Sequence, residues 1–222
     1  RWIRDRRLRP YGNSGSMAVS RESFQTYFSP DGPAWNYERQ SLVRLRPIAG
    51  DLAFGAEICA LRDQMLYTAE PFDLAGMRAM RERQLRHLVK PGVLNAKYSQ
   101  GGLLDVEYLV QGLQITHGAE HPKLRTPNTR AALAALQEEN IISAEQGEQL
   151  QAAHNFLRRL IDALRVVRGN AKEVDVPAPA SEQFAFLARR LDYVHSSEQL
   201  LADITYHTQN VIRIQNELFG DK

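Results

Sequence analysis

The first ten residues place one carboxylate among several guanidinium groups. Asp5 lies in the run IRDRRLRP, which also holds four arginines. On an extended strand alternate side chains share a face, so Asp5, Arg7 and Arg9 would point the same way, about 7 Å from one to the next. A carboxylate can bind a metal ion, and a guanidinium matches phosphate oxygens through two parallel hydrogen bonds. The segment therefore predicts a site for a phosphate-bearing ligand, and a solvated, salt-bridged edge strand is the alternative.

A second candidate site lies in the stretch KYSQGGLLDVEYLVQ. It predicts a helix that is entered through Gly101 and Gly102, and backbone N–H groups at such a start can bind an anion. Lys97 adds positive charge nearby. Asp105 and Glu107, in the first turns, are explained equally well by the helix dipole and by solvation. We predict a nucleotide- or phosphate-binding role for these five residues, and the alternative is that they dock the helices on the rest of the protein.

The composition indicates a soluble globular protein. The chain has 222 residues, 43% of them hydrophobic, and a formal net charge of +2, which is too small to indicate nucleic-acid binding. No apolar run approaches the ~18 residues of a membrane span, and the first residues lack the layout of a signal peptide. The single cysteine, Cys59, cannot form an internal disulfide. We therefore expect a cytoplasmic protein that binds neither membranes nor nucleic acids.

The hydrophobic period changes near Ser20 from two to about 3.6. Before that point, two short extended runs flank the turn formers of YGNSG, which predicts a strand, a turn and a second strand over Ser16–Ser20. After it, the pattern predicts a helical bundle, so the expected fold is mainly α. The expected helices lie near residues 20–28, 35–45, 51–67, 73–90 and 101–117, from Thr126 and from Ser143 onward, and twice after a loop or linker at Gly169–Ser181.

Three blocks of the sequence resemble the glutamine synthetase adenylyltransferase family. The first is DRRLRPYGNSG at Asp5–Gly15, and the second is WNYERQSLVRLRPIAGD at Trp35–Asp51. The third is KYSQGGLLDVEYLVQGLQ at Lys97–Gln114, followed by HPKL at His121–Leu124. The blocks occur in the order of that family, from residue 3 to about 170. Members of the family add AMP to glutamine synthetase and remove it.

The resemblance implies a catalytic module like that of the polymerase-beta nucleotidyltransferases. Such modules carry a Gly-Ser followed by two aspartates on one strand and a third aspartate on a later strand, and Asp5 matches the third. The other two are expected before residue 1. The resemblance then implies ATP as substrate, Mg²⁺ bound by Asp5, and Arg7 and Arg9 placed to stabilise phosphate charge. Since two carboxylates are missing, we expect the 222-residue chain to be inactive alone.

The resemblance also implies a division of the chain. Residues 1–50 would be the C-terminal part of an incomplete nucleotidyltransferase domain, and residues 51–222 would form a helical bundle domain. The longer protein would transfer AMP from ATP to a tyrosine of glutamine synthetase, or remove it by phosphorolysis, and so regulate nitrogen assimilation. Glutamine synthetase is the expected partner and a PII-type signalling protein a second candidate.

Two other functions stay open at this stage. The chain could be a non-catalytic helical module that binds glutamine synthetase or a PII-type protein. It could also belong to a relative that uridylylates PII, which shares the layout of a nucleotidyltransferase followed by a bundle. The sequence that precedes residue 1 would discriminate, because a Gly-Ser with two aspartates there identifies an enzyme.

Overall fold

The structure, a computed structural model, describes residues 9–68, 70, 72–193 and 196–220. Within these ranges the chain is mainly helical, as predicted. Short 3₁₀ segments lie at Gly12–Ser14, Leu42–Arg44 and Pro122–Leu124. The α-helices are α1 (Arg21–Phe28), α2 (Asn36–Ser41), α3 (Leu52–Leu66), α4 (Leu74–Leu88), α5 (Leu103–His117), α6 (Thr129–Glu138), α7 (Ala144–Arg168), α8 (Glu182–Arg190) and α9 (Ser197–Phe219).

The two predicted strands have different outcomes. The first falls largely on residues 1–8, which lie outside the described residues. The second, over Ser16–Ser20, is wrong, because these residues form bends and an extended lead into α1 and pair with no neighbour. An extended run becomes a strand only beside another strand, and none is present among the described residues, where Asn95 and Asp175 form a single isolated bridge.

Side-chain caps begin several helices where the sequence predicts them. The Ser20 hydroxyl accepts a hydrogen bond from the backbone N–H of Ser23 at 3.2 Å and begins α1. At the start of α7, the Ser143 hydroxyl accepts from the N–H of Gln146, and the Gln146 side chain accepts from the N–H of Ser143. This reciprocal capping box satisfies two backbone donors that have no partner within the helix. The predicted start of the longest helix is therefore confirmed.

The predicted start of α6 is displaced by two residues. Thr126 and the following proline suggested a cap, but the side-chain oxygen of Asn128 accepts from the backbone N–H of Arg130 at 2.9 Å and of Ala131 at 3.1 Å. Asparagine caps a helix at least as well as threonine. The hydroxyl of Thr126 instead accepts from the N–H of Asn128 at 3.3 Å and holds the turn before the helix.

The described residues divide into two compact units. The first unit is drawn from Arg1–Met77 and Gln111–Ala132, and the second from Arg78–Val110 and Leu133–Lys222. In the second unit, α7 packs along α9 and α8 covers both. Each unit buries its own apolar side chains. Those of the first include Tyr27, Phe28, Leu42, Val43, Leu61, Met65, Leu66 and Tyr67, and those of the second include Leu150, Leu157, Leu160, Leu164, Phe184, Leu187, Leu200, Ile204, Val211 and Ile214.

None of the described helices is both long enough and apolar enough to cross a membrane.

Candidate functional site

Of the three residues predicted to be catalytic, only Arg9 lies in the described part of the chain. Asp5 and Arg7 lie outside it. The Arg9 Nε–H donates to the carbonyl of Gly12 at 2.7 Å, so this guanidinium is held against the turn that follows it. The ring of Tyr11 in the same turn lies edge-on to Tyr27 of α1, with 4.7 Å between ring centroids. The turn that carries Arg9 is therefore fixed on the first unit.

The second block of the resemblance, around Trp35, also lies in the first unit. Two of its charged side chains make hydrogen bonds that stabilise this unit. The carboxylate of Glu38 accepts from the Tyr27 hydroxyl at 3.2 Å and from the backbone N–H of Trp35 at 2.9 Å. The Arg39 guanidinium donates to the carbonyls of Ser29 and Gly32 at 2.7 and 3.0 Å. Burial raises the pKa of Tyr27, and the carboxylate of Glu38 raises it further. These charged groups hold the loop between α1 and α2.

The glycine pair of the third block lies where two parts of the chain approach closely. Gly101 has a φ of +72°, and a Cβ at this position would lie 2.2 Å from the carbonyl oxygen of Thr208 in α9. A Cβ on Gly102 would lie 2.9 Å from the carbonyl oxygens of Lys97 and Ser99. Both positions therefore require glycine for steric reasons. The sequence did not reveal the role of Gly101, because the residue that it contacts, Thr208, lies in a helix more than 100 residues later.

Asp105 is buried and holds this loop together with Arg81 of α4. Its carboxylate accepts from the backbone N–H of Gly101 at 2.7 Å and from Arg81 Nε at 2.5 Å. The Nη2 of Arg81 also donates to the carbonyls of Tyr98 and Ser99, at 2.7 and 3.0 Å. Arg81 and Asp105 are 7% and 3% exposed, so the charges are paired away from water. We call Arg81, residues 97–102 and Asp105 the Gly101 corner.

The five residues predicted here to bind a nucleotide or phosphate therefore lie in or beside one corner of the second unit. The N–H of Gly101 donates to Asp105, and the N–H of Gly102 donates to the carbonyl of Ser99 at 2.9 Å. The Lys97 ammonium lies 5.0 Å from the centroid of the Tyr98 ring. Lys97 and Glu107 are half-buried. An anion at this helix start would have to displace hydrogen bonds that the chain already makes.

A polar contact that the sequence did not predict connects the corner to the loop after α7. The side-chain amide of Asn95 donates to Asp175 at 2.7 Å, and its oxygen accepts from the N–H groups of Lys97 and Tyr98 at 3.1 and 2.9 Å. The other oxygen of Asp175 lies 3.1 Å from the Lys90 ammonium. The segment predicted as a loop or linker is a loop, and Asp175 anchors it in the second unit.

The carboxylates of the described residues do not form a metal centre. Among residues 9–68, 70, 72–193 and 196–220, no three histidine, cysteine, aspartate or glutamate side chains come together as metal ligands. The most buried carboxylate of the predicted sites, Asp105, already has the Arg81 guanidinium as its counterion. The prediction of a metal site therefore depends on Asp5.

Two family models match parts of the chain. A family model described as GlnD PII-uridylyltransferase matches residues 75–219, and one described as Glutamate-ammonia ligase adenylyltransferase matches residues 3–60. Because the first match covers more than half of the chain, the chain belongs to the GlnD PII-uridylyltransferase family over its helical part. The second match confirms the resemblance to glutamine synthetase adenylyltransferase in the opening segment.

A curated relative supports the resemblance to glutamine synthetase adenylyltransferase. The chain is 30% identical, over 167 residues, to a protein of Hahella chejuensis (strain KCTC 2396) named "Bifunctional glutamine synthetase adenylyltransferase/adenylyl-removing enzyme". The match covers 72% of the chain and 17% of the relative. The aligned part of the chain thus spans about a sixth of the length of this relative.

Proposed function

We propose that the chain is part of an enzyme that transfers AMP from ATP to a tyrosine of glutamine synthetase, or removes that AMP by phosphorolysis. The observation that carries this proposal is the match of residues 3–60 to the adenylyltransferase model, in a chain that is also 30% identical to a bifunctional adenylyltransferase. In this proposal residues 1–50 complete a nucleotidyltransferase domain, residues 51–222 form the helical domain, and the protein works in the cytoplasm on nitrogen assimilation.

The proposed chemistry assigns roles to the opening residues. Transfer of AMP is an in-line displacement at the α-phosphorus of ATP, with pyrophosphate as leaving group. Mg²⁺, when bound, activates the attacking oxygen and neutralises charge on the leaving group. Asp5 would bind this ion together with carboxylates from the preceding polypeptide. Arg7 and Arg9 would bind phosphate oxygens, and the hydrogen bond from Arg9 to Gly12 holds this guanidinium beside the turn that follows it.

We assign a mainly structural role to the Gly101 corner. Its buried ion pair and the steric requirement for both glycines support docking of the loop on α4 and α9. Lys97 and Glu107 are the two half-buried members of the predicted set, so they are the candidates for contact with a nucleotide or with another domain.

The alternative enzyme is a PII uridylyltransferase, favoured by the match of residues 75–219 to that family model. The match lies in the helical part, whereas the residues proposed for chemistry lie in the opening segment. The layout of a nucleotidyltransferase followed by a bundle is common to both enzymes, so the helical match does not choose between them. Residues 3–60 favour the adenylyltransferase.

The proposal is tested by Asp5→Asn in the longer protein. We expect Mg²⁺-dependent labelling of glutamine synthetase from α-labelled ATP to fall at least about 100-fold, because removal of one preorganised electrostatic group from an active site costs this much or more. Asp31→Asn makes the same chemical change at an exposed turn and should label at the wild-type rate.

Three results would change this assignment. Labelling by the Asp5→Asn variant at the wild-type rate would remove Asp5 from the site. Labelling of a PII-type protein from UTP, with none of glutamine synthetase from ATP, would favour the uridylyltransferase. Binding of glutamine synthetase by the longer protein without any nucleotide transfer would favour the non-catalytic module. The purified 222-residue chain should transfer no AMP, and turnover by it would show that the preceding carboxylates are not needed.

A further inference from the structure

Large apolar side chains that remain exposed are concentrated early in the chain. Of the thirteen such side chains among the described residues, eight lie between residues 11 and 54, which is about a fifth of the chain. Single exposed apolar residues are common on any protein surface, whereas several that adjoin one another indicate an interaction surface. The strongest part of this concentration lies at the start of α3.

The first half of α3 is apolar around most of its circumference. Residues 52–60 read LAFGAEICA and contain one charged residue, Glu57. Leu52 is 82% exposed and Phe54 50% exposed, and both Ala53 and Ala56 are also exposed. The second half of the helix behaves differently, because its apolar side chains are buried in the core of the first unit. A helix that is apolar on all sides is normally enclosed. Among the described residues, the exposed side of the first half of α3 therefore has no covering layer.

The segment before α3 extends the same surface and is held rigidly. A Cβ on Gly55 would lie 2.8 Å from the Cβ of Pro47, so the proline ring occupies the space that a side chain on α3 would need. Ile48, the next residue, is 82% exposed. The Asp51 carboxylate accepts from the backbone N–H of Phe54 at 2.9 Å and fixes the start of the helix. The apolar groups are thus presented by a formed turn and helix.

We propose that this α3 apolar surface, made of Ile48, Leu52, Ala53 and Ala56, packs against the part of the nucleotidyltransferase module that precedes residue 1 in the longer protein. This inference rests on the proposed function, and it assigns the α3 apolar surface a contact within the same polypeptide. The surface lies wholly inside residues 3–60, the stretch that matches the adenylyltransferase model. The aligned relative has most of its length outside the match, which covers 17% of it.

The chemistry of the surface fits the face of a sheet in the catalytic module. An α/β domain buries the apolar face of its sheet under helices, and such a helix needs an apolar stripe with few charges. The start of α3 has this character, and its small side chains at 53 and 56 allow close approach. A second copy of the chain or glutamine synthetase itself could also cover an apolar face, and the experiment separates these occupants.

The test compares the accessibility of one position in the short and the long protein. Ala53→Cys is placed in a Cys59→Ser background, and the rate at which 5,5′-dithiobis(2-nitrobenzoate) modifies residue 53 is followed by mass spectrometry of its peptide. We expect rapid modification in the 222-residue chain and modification at least 10-fold slower in the full-length protein. Ala202→Cys, at an exposed position of α9, is the matched control and should react at rates within twofold in both proteins.

Each other outcome overturns the proposal in a recognisable way. Equal rates at residue 53 in both proteins would mean that the preceding polypeptide does not cover α3. Slow modification already in the short chain, with a dimer in sedimentation, would assign the surface to a second copy. Protection of the full-length protein only after addition of glutamine synthetase would assign it to that partner. Assays of AMP transfer on the same full-length variants separate this proposal from the proposed function. If a variant transfers AMP while residue 53 stays accessible, the proposed packing of the α3 apolar surface is wrong and the proposed function stands.

Discussion

The Gly101 corner and the α3 apolar surface differ in which side chains are already in contact with the rest of the protein. The corner holds a lysine, an aspartate and two glycines, which are typical of a phosphate site, yet Asp105 is paired with Arg81 and the glycine N–H groups are hydrogen-bonded. The α3 apolar surface consists of ordinary apolar residues, yet Ile48 and Leu52 are each 82% exposed. Residue types thus indicate a candidate site, whereas the contacts that its side chains can still make decide what the site can bind.

The largest effect is expected from breaking the ion pair of the corner. Arg81→Met leaves the carboxylate of Asp105 buried without its counterion, and such a change typically costs about 3–5 kcal/mol. We expect a loss of this size in the free energy of unfolding of the 222-residue chain, measured by urea denaturation and circular dichroism. The matched control is Arg165→Met, which breaks an exposed pair with Asp162 at 3.0 Å and should cost less than about 1 kcal/mol.

A double variant tests whether Arg81 and Asp105 form a structural ion pair or a site that binds a ligand. Arg81→Met combined with Asp105→Leu removes both charges, so it should recover much of the stability lost in the single variant. A cost of Arg81→Met as small as that of the exposed pair would contradict the closed corner and favour an arginine available to a ligand.

The second effect concerns the close approach at Gly101. Gly101→Ala places a side chain in the left-handed region, which costs about 1–2 kcal/mol, and against the carbonyl of Thr208, which adds a cost of overpacking of about 1–3 kcal/mol. Gly92 is a matched control because its φ is also +72° and a Cβ there would meet nothing within 4 Å. Gly92→Ala should therefore cost about 1–2 kcal/mol.

The difference between the two glycine variants isolates the contact with α9. We expect Gly101→Ala to lower the thermal unfolding midpoint more than Gly92→Ala does. Equal midpoints would mean that α9 does not approach the loop, and the requirement for glycine at 101 would then come from the backbone angle alone.

The sequence predicted the local structure of this chain better than its long-range contacts. The capping box of Ser143 and Gln146 and the change of period at Ser20 indicated helices correctly, because caps and periodicity depend on neighbours three or four residues apart. The start at Thr126 was wrong because the side chain of Asn128, two residues later, caps the helix instead. The strand over Ser16–Ser20 was wrong because a strand depends on a partner elsewhere in the chain.

The candidate site was predictable only as a set of residues. The sequence brought Lys97, Gly101 and Asp105 together correctly, since they lie in one turn and the helix after it. It did not indicate that Arg81, 24 residues earlier, donates a hydrogen bond to the carboxylate of Asp105 and neutralises its charge. The contact between Asn95 and Asp175 spans 80 residues and has no signature in either local sequence. Whether a charged group is available to a ligand depends on such distant partners.

The smallest effect is expected at two tyrosine hydroxyls, a buried one in the first unit and a partly buried one in the second. Among the described residues, the Tyr67 hydroxyl of the first unit has no hydrogen-bond partner, whereas that of Tyr193 in the second unit donates to Asp203 at 2.5 Å. At pH 7 we therefore expect Tyr67→Phe to leave the free energy of unfolding unchanged or to raise it slightly. Tyr193→Phe should lower it by about 1–2 kcal/mol, because it removes a hydrogen bond to a carboxylate.

Alkaline pH provides the second readout for Tyr67. Burial raises the pKa of Tyr67 to about 12, against a value near 10 in the unfolded chain. The folded state thus holds the phenolic proton more tightly, so its stability is complete below pH 10 and is lost as the pH rises from 10 to 12. The loss should reach about 1 kcal/mol at pH 11. Urea denaturation at pH 9 and 11 should show this loss in the wild type and a smaller loss in Tyr67→Phe. An identical loss in both proteins would mean that the Tyr67 hydroxyl reaches water, and the first unit would then be more open than its core residues indicate.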